Sequence, residues 1–325
     1  MNISFAAGLA KAIHESLRSD PSVLLIGSGF MGLNNAARPL LEPALKEFSD
    51  RVLMTPVSEL GLAGAAIGAA MAGQRPLVDM STGSFIFQAF AQVVNEAANI
   101  HYMSGGQTAA PVTFYSLAGM RTAGAAQHSH RTQAMLGQAP GLQIMAPGAA
   151  DDAYHLLKWA LLHSLNPTVF LSHPLLFNDT MEVDMDAAPP LGQARVRRPG
   201  RDVSIIASSI MVPRALAAAQ ALMRDHGVSA EVVDLRSIVP LDRDTVIQSV
   251  QRTGRAVIAD ECNRSFGVAA EIAATLAEAG LAGANVAIRR VAVPDVPIPY
   301  SPVLEAELTV TAEKICAAAL GVLGR

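Results

Sequence analysis

The sequence predicts an α/β protein of two domains, each a mostly parallel sheet flanked by helices. Short runs of Val, Leu and Ile alternate with helical stretches along nearly all of the 325 residues, the pattern of parallel sheets covered by helices. A proline-containing stretch at 181–200 interrupts this rhythm. We therefore expect a first domain over 1–180, a linker over 181–200 and a second domain over 201–325.

Composition excludes several classes of protein. Hydrophobic residues make up 51% of the chain and charged residues 16%, more apolar surface than one core needs, so we expect extensive subunit contact. The formal net charge of −4 lacks the positive footprint of nucleic-acid binding. No apolar run approaches the roughly 20 residues that span a membrane, and no secretory signal is evident. Cys262 and Cys316 make no metal cluster or disulfide framework. We expect a cytoplasmic protein without a metal site of its own.

The elements of the first domain follow from its apolar pattern. Leu9, Ile13 and Leu17 share one helical face and predict a helix from Phe5 to Leu17. Short apolar runs predict buried strands at 22–27, 52–54, 76–80, 111–116, 142–146 and 168–172. Helices are expected at 58–73, 85–103 and 151–163, and the stretch 117–131 is expected to be a functional loop.

The second domain repeats the alternation. Strands are predicted at 203–207, 230–234, 255–260 and 286–293, and helices at 212–226, 267–279 and from about residue 308.

Glu59 is the one charged residue at the start of the smooth Gly/Ala helix that ends near Gly73. A glutamate in the first turn interacts favourably with the helix dipole by about 0.3–1 kcal/mol, which is the simpler explanation. The alternative is that this carboxylate is retained for chemistry, because no other polar group follows it for a dozen residues.

His128 lies in the Gly/Ala-rich stretch Gly124–His130. It is either a loop histidine bonded to backbone or a proton-transfer group in a narrow space. His128 and His130 together could form a two-histidine metal clip, a weaker interpretation because no third ligand is near in sequence.

Seven groups of motifs stand in one order along the chain. They are Thr55-Pro56-Val57-Ser58-Glu59 with the Gly/Ala helix, Tyr102–Gly106, Ala125–Ser129, Pro140–Leu142, Asp234–Arg236 with Pro240–Asp242, Phe266-Gly267 with Ala270–Ile272, and Pro294–Tyr300. In this order and spacing they resemble the β subunit of the thiamine-diphosphate-dependent first component of 2-oxoacid dehydrogenase complexes. The resemblance covers essentially the whole chain.

The resemblance implies a transketolase-like pyrimidine-binding domain followed by a transketolase-type C-terminal domain. It implies thiamine diphosphate as cofactor, with Mg²⁺ and the diphosphate held by an α subunit in an α2β2 heterotetramer. It implies that Glu59 bonds N1′ of the aminopyrimidine, that Phe85 packs on that ring, and that Val57 and Ser81 also bind the cofactor. His128 would serve the steps that transfer an acyl group to lipoamide on a partner acyltransferase.

The chain departs from the family pattern at four places: Ser28-Gly29, Ser81–Ser84, Tyr115 and His163–Pro167. The first three lie on the substrate side of the cofactor in the family, and two of them are expected to enlarge the space there. They suggest either a substrate larger than pyruvate or an unusual acceptor of the acyl group. The last lacks the family's aspartate before Asn-Pro, which weakens the case for a structural potassium ion.

The leading hypothesis is therefore a β subunit of a thiamine-dependent 2-oxoacid or acetoin dehydrogenase that acts on a 2-oxo acid or an acyloin. Two alternatives stay open at the level of sequence. One is a diverged thiamine-dependent carboligase that forms acyloins without a lipoyl partner, and the other is a non-catalytic scaffold subunit. Retention of Glu59, Phe85 and His128 together argues against the scaffold.

Overall fold

Two mostly parallel sheets with helices on their faces organise the chain, as predicted. The computed structural model describes residues 1–30, 33, 37–186, 190–281 and 286–325. The chain forms two compact units. The first comprises Met1–Ala118 and His128–Pro189, and the second comprises Gly119–Gln127 and Pro190–Arg325. The predicted domain and linker bounds stay a prediction, and residues 187–189 of that linker lie outside the described part of the chain.

The first unit places its strands in the order β6-β7-β5-β4-β2-β3, each neighbouring pair parallel. These strands are β2 (Val23–Gly27), β3 (Val52–Met54), β4 (Arg75–Thr82), β5 (Thr113–Leu117), β6 (Gln143–Met145) and β7 (Thr168–Ser172). A separate antiparallel pair joins β1 (Asn2–Ser4) to β8 (Thr180–Glu182).

Helices cover this sheet. The α-helices are α1 (Phe5–Ser19), α2 (Arg38–Glu47), α3 (Glu59–Met71), α4 (Ile100–Met103), α5 (Ala125–His128), α6 (Gln133–Leu136) and α7 (Ala150–Leu162). Among the described residues, 3₁₀ turns lie at Ser49–Arg51, Gly83–Ala89 and Pro174–Leu176, and a π-helix lies at Ala91–Ala97. Helix α1 begins where the Ser4 hydroxyl accepts the Ala7 N–H, and its apolar face packs against α7.

The second unit orders its sheet β14-β13-β10-β11-β9, with only β9 antiparallel to its neighbour. Its strands are β9 (Arg195–Arg198), β10 (Val203–Ala207), β11 (Ala230–Asp234), β12 (Ser237–Val239), β13 (Arg255–Asn263) and β14 (Ala287–Val293). Its helices are α8 (Met211–His226), α9 (Arg243–Thr253), α10 (Val268–Glu278), α11 (Pro302–Leu308) and α12 (Ala312–Val322).

Two local predictions are wrong. The strand 52–54 exists but is not buried, because β3 is the last strand of its sheet and leaves Leu53 48% and Met54 58% exposed. The single helix expected at 85–103 is instead a 3₁₀ turn, a π-helix and the short α4 in succession. Within the described residues, none of the helices combines the length and the apolar character needed to cross a membrane.

Candidate active site

The carboxyl ends of β2, β3, β4 and β5 meet at one edge of the first sheet, where open α/β sheets bind ligands. The connection from β3 to α3 is tied to this edge, since the Thr55 N–H donates to the Gly27 carbonyl at 3.1 Å. Helix α3 then begins at Glu59, and its N-cap residue Ser58 makes no side-chain capping bond. Glu59 is half-buried. The edge thus presents a carboxylate at the first turn of an otherwise apolar helix.

Helix α3 has one buried and one exposed face, and both are apolar. Leu62, Ala63, Ala66, Ile67 and Ala70 are buried. The exposed face carries Leu60, Gly61, Gly64, Ala65, Gly68 and Met71, and the nearby Met54 and Val57 are also exposed. A Cβ built on Gly64 or Gly68 meets nothing within 4 Å. This face is therefore bare backbone framed by exposed apolar side chains.

The end of β4 is shaped by a buried aspartate. Asp79, 4% exposed, accepts the Ser81 N–H at 2.8 Å, and Ser81 has a φ of 58°. The sheet register shifts at this point between Asp79 and Thr82. A Cβ on Gly83 would lie 3.0 Å from the Leu117 carbonyl oxygen, so glycine is needed for the close approach of the 3₁₀ turn to β5.

The 3₁₀ turn brings two phenylalanines against two histidines. The Phe85 and His128 rings lie 5.4 Å apart edge to face, and the Phe87 and His130 rings lie 5.2 Å apart in the same arrangement. Burial lowers the pKa of His130, and the neighbouring Arg131 lowers it further. Phe85 and Phe87 have the same spacing in the sequence as His128 and His130, and this shared spacing is the signal for the second pair. The interpretation of His130 as a metal ligand does not use it.

The stretch before His128 is held by a carboxylate from α11. Glu305, 5% exposed, accepts the Thr122 N–H at 2.7 Å and the Ala123 N–H at 3.0 Å. Thr122, Ala123 and Ala125 all have positive φ values, of 62°, 58° and 53°, a conformation that costs non-glycine residues energy. No sequence motif around Glu305 predicts this role.

The predicted site residues thus come together in part. Phe85 and His128 are in ring contact, and α3, which Glu59 begins, packs against the 3₁₀ turn that carries Phe85. Val57 lies in the connection between β3 and α3 with 69% of its surface exposed, and Ser81 lies at the end of β4.

Tyr115, one of the departures from the family pattern, does not face open space. It is fully buried in β5 and stacks on Phe170 with ring centroids 6.0 Å apart. Burial raises the pKa of Tyr115, and the Asp79 carboxylate adds to the rise. A change at this position therefore acts on the sheet interior, and it does not itself enlarge a pocket.

Carbonyls in and just before the segment 163–167 accept hydrogen bonds from the chain itself. The Arg75 guanidinium donates through Nε to the Leu161 carbonyl and through Nη2 to the Ser164 carbonyl, the latter at 2.6 Å. The Ser164 hydroxyl lies 2.7 Å from the Asn166 carbonyl oxygen. A hard cation needs several available oxygen ligands, and these hydrogen bonds leave fewer of them for a potassium ion.

Metal binding by the histidine pair finds no support either. Within the part of the chain that the structure describes, no group of three or more His, Cys, Asp or Glu side chains could hold a metal ion.

Known proteins match along nearly the whole chain. The family described as transketolase, pyrimidine binding domain matches residues 1–178, and the family described as transketolase, C-terminal domain matches residues 192–315. A split-gene transketolase, an inactive β4 tetramer, superposes with a TM-score of 0.80 over 99% of this chain and 98% of that one, at 23% identity. That similarity concerns the fold alone.

Curated relatives are more similar in sequence. The pyruvate dehydrogenase E1 component subunit beta of Rickettsia felis is 40% identical over 275 residues, 84% of this chain and 83% of its own length. The acetoin:2,6-dichlorophenolindophenol oxidoreductase subunit beta of Cupriavidus necator is 36% identical over 98% of this chain and 96% of its own. The chain belongs to the transketolase-like family of E1-type β subunits, built from a pyrimidine-binding domain and a transketolase C-terminal domain.

Proposed function

We propose that this chain is the catalytic β subunit of a thiamine-diphosphate-dependent dehydrogenase that acts on a 2-oxo acid or an acyloin in the cytoplasm. The observation that carries the proposal is the Phe85–His128 ring contact beside the helix that Glu59 begins. The relatives named above act as E1 and acetoin oxidoreductase β subunits, which supports the same activity here.

The residues at the edge suit an aminopyrimidine. A half-buried carboxylate, an aromatic ring and apolar side chains are the groups that such a ring requires. The Thr55 hydroxyl, between β3 and Glu59, is buried and finds no hydrogen-bond partner among the described residues. Glu59, Phe85, Val57 and Ser81 would hold the ring. When bound, thiamine diphosphate supplies a carbon nucleophile that stores the electron pair released on bond cleavage.

The chain's own residues move protons and exclude water. Glu59 would exchange a proton with N1′, which is the role that a carboxylate in this setting can play. The Phe85 ring would orient the pyrimidine and keep water from it. His128 would hold or deliver a proton at the oxygen of the substrate, since an imidazole nitrogen can either donate or accept a proton.

The proposed assembly is an α2β2 heterotetramer, in which an α subunit holds Mg²⁺ and the diphosphate and a lipoyl acyltransferase receives the acyl group. The apolar exposed face of α3 supports contact with another subunit. Potassium is not part of the proposal, because Arg75 already occupies the carbonyls of Leu161 and Ser164.

The test uses the chain purified with its α partner. Glu59→Gln should abolish hydrogen exchange at the thiazolium C2 while leaving the assembly intact. His128→Ala should retain that exchange and lose turnover with 2,6-dichlorophenolindophenol as electron acceptor. Glu96→Gln, an exposed carboxylate of the same unit, is the matched control and should retain both.

Hydrogen exchange at the wild-type rate in Glu59→Gln would refute the role of this carboxylate. An equal loss of C2 exchange and of turnover in His128→Ala would mean that the histidine takes part in activating the cofactor. A panel of 2-oxo acids and acyloins then identifies the substrate. A strong preference for pyruvate would contradict the idea that the departures from the family pattern select another substrate.

A further inference from the structure

Strand β14 forms an open edge of the second unit's sheet. It stands at the end of the order β14-β13-β10-β11-β9, and within the described ranges β13 is its only strand partner. Helices α10 and α12 both contact β14. An edge strand directs alternate N–H and C=O groups away from its one neighbour. These backbone groups of β14 are therefore available to a further strand.

Two grooves run along this edge, and basic side chains line both. One has a volume of about 600 Å³ and the other about 390 Å³. Arg289 and Arg290 line both of them. Small residues leave the space open, namely Ala273, Ala287 and Gly321 in the first groove and Ala317 and Ala318 in the second. The Arg289 Nη1 would lie 3.2 Å from a Cβ on Gly321, so a larger residue there would crowd the guanidinium.

Two further cations complete the surface. Arg264 lines the larger groove, and its carbonyl accepts Arg290 Nη1 at 2.8 Å. Lys314 lines the smaller groove, and its ammonium donates to the Glu307 and Thr309 carbonyls at 2.6 and 2.8 Å. Hydrogen bonds between the chain's own groups thus hold both Arg290 and Lys314 in place.

These four cations have no ion-pair partner in the described parts of the chain, 1–30, 33, 37–186, 190–281 and 286–325. The nearby Asp295 is bound instead to the Ser265 N–H at 3.0 Å and hydroxyl at 2.7 Å. Those two hydrogen bonds hold the pKa of Asp295 below its usual range, and Arg264 and Arg290 add to the effect. A chain of formal net charge −4 therefore carries four cations close together here, with Asp295 offsetting part of their charge.

We infer that this surface, the β14 groove, binds an extended acidic segment of a partner polypeptide. The β14 groove is defined by the open edge of β14 with Arg264, Arg289, Arg290 and Lys314. The inference concerns a partner beyond the proposed activity and does not depend on the cofactor.

An extended polypeptide fits this surface for two reasons. Only a polypeptide offers the matching row of backbone donors and acceptors, so it can add a strand to the open edge. Side chains alternate between the two faces of a strand, and Arg289 and Arg290, as neighbours, point to opposite faces. Acidic residues at successive positions of the added strand would therefore meet an arginine on each face. Arg binds carboxylates in a bidentate manner, the strongest form of such pairing.

The competing explanation is that the arginines only keep sheet edges of different molecules apart, as charged residues on edge strands commonly do. Fluorescence anisotropy of labelled peptides distinguishes the two explanations with the purified full chain. The probe is the seven-residue sequence Thr-Glu-Glu-Thr-Glu-Glu-Thr, as long as β14, in which neighbouring Glu side chains point to opposite faces of the strand. A second peptide replaces Glu by Lys, and a third keeps the charge but places Pro at every Thr position, which removes backbone donors.

The expected result is saturable binding of the Glu-Thr peptide, no binding of the Lys peptide, and affinity lower by about tenfold for the Pro peptide. The double variant Arg289→Gln/Arg290→Gln should bind the Glu-Thr peptide at least about tenfold more weakly. Arg201→Gln, an exposed arginine of the same unit with 85% of its side chain accessible, is the matched control and should bind like the wild type. Hydrogen exchange should show protection of β14 amides on peptide binding.

Three results would overturn the inference. The wild type could fail to bind the Glu-Thr peptide, the Pro peptide could bind equally well, or the double variant could bind like the wild type. Self-association of the double variant, with no peptide binding by either form, would show that the arginines guard the edge instead.

Discussion

Replacing Glu305 by glutamine should release the stretch that precedes His128. The carboxylate bonds two successive backbone N–H groups, of Thr122 and Ala123. Hydrogen bonds to a charged acceptor contribute about 1.5–3 kcal/mol each, or roughly 3–6 kcal/mol together. The three residues with positive φ, Thr122, Ala123 and Ala125, cost roughly 1–2 kcal/mol each, again roughly 3–6 kcal/mol. The stabilisation by the two hydrogen bonds and the cost of the backbone strain are therefore of comparable size, so the loop keeps its conformation only while the Glu305 carboxylate is in place.

Glutamine retains one acceptor oxygen and turns an NH₂ group toward the other backbone N–H. One bond is then weakened and the other is lost, so local stability should fall by about 2–4 kcal/mol. At about 1.4 kcal/mol per decade, the protection of the Thr122 and Ala123 amides against hydrogen exchange should fall roughly a hundredfold. Glu307→Gln changes an exposed carboxylate of the same helix and should leave that protection unchanged.

Unchanged protection of these amides in Glu305→Gln, or an equal loss in Glu307→Gln, would refute the reasoning. In the assembled enzyme, chain continuity carries the loosening to His128. The steps assigned to His128 should then slow while hydrogen exchange at the thiazolium C2, assigned to Glu59, persists.

Three further predictions concern stability. The wild type should unfold at the same temperature in potassium and in choline salts, and specific stabilisation by potassium would contradict this. Arg75→Met should lower the free energy of unfolding by about 1–3 kcal/mol, because it removes the hydrogen bonds to the Leu161 and Ser164 carbonyls. The second prediction concerns Glu15. Burial alone would raise the pKa of Glu15, but hydrogen bonds from lysine and tyrosine side chains lower it overall, to about 2 from an unperturbed 4.5. Its contribution to stability is therefore present above pH 4.5 and is lost as the pH falls toward 2, and denaturant titrations should show a flatter pH dependence in Glu15→Gln. Gly141→Ala should destabilise the fold by more than about 3 kcal/mol, because the added Cβ would lie 2.1 Å from the Ala98 carbonyl oxygen. The control Gly68→Ala, at an open helical position, should not destabilise the isolated chain. Equal denaturation midpoints for the two variants would disprove the close approach.

Continuous apolar runs were enough to predict many strands of this fold. The predicted bounds of 168–172, 203–207 and 230–234 agree with β7, β10 and β11, because strands buried on both faces are mostly apolar along their length. The fold class is confirmed. The site residues Glu59, Val57, Ser81, Phe85 and His128 rested on a family resemblance, and their roles stay predictions.

What the sequence missed depends on contacts between distant residues. The split of 85–103 into 3₁₀, π and α turns accompanies the close approach of Gly83 to β5 and of Gly141 to Ala98. The hydrophobic periodicity of one segment does not predict such contacts with a distant segment. Glu305 accepts a hydrogen bond from the backbone of Thr122, 183 positions away in the sequence. Because the donor is a backbone N–H, the residue type at position 122 does not indicate the contact.

The bare face of α3 has a consequence for how firmly a partner can be held. Burying long side chains in an interface costs up to about 1.5–2 kcal/mol each in lost rotamer freedom, whereas glycine and alanine lose none. Gly61, Gly64 and Gly68 on the exposed face therefore allow another backbone to settle against α3 without an entropic cost from these positions. Glu59 lies on the same rigid helix, so a docked partner would restrict the carboxylate as well. Any change that adds a side chain to this face should weaken association and misplace Glu59 together.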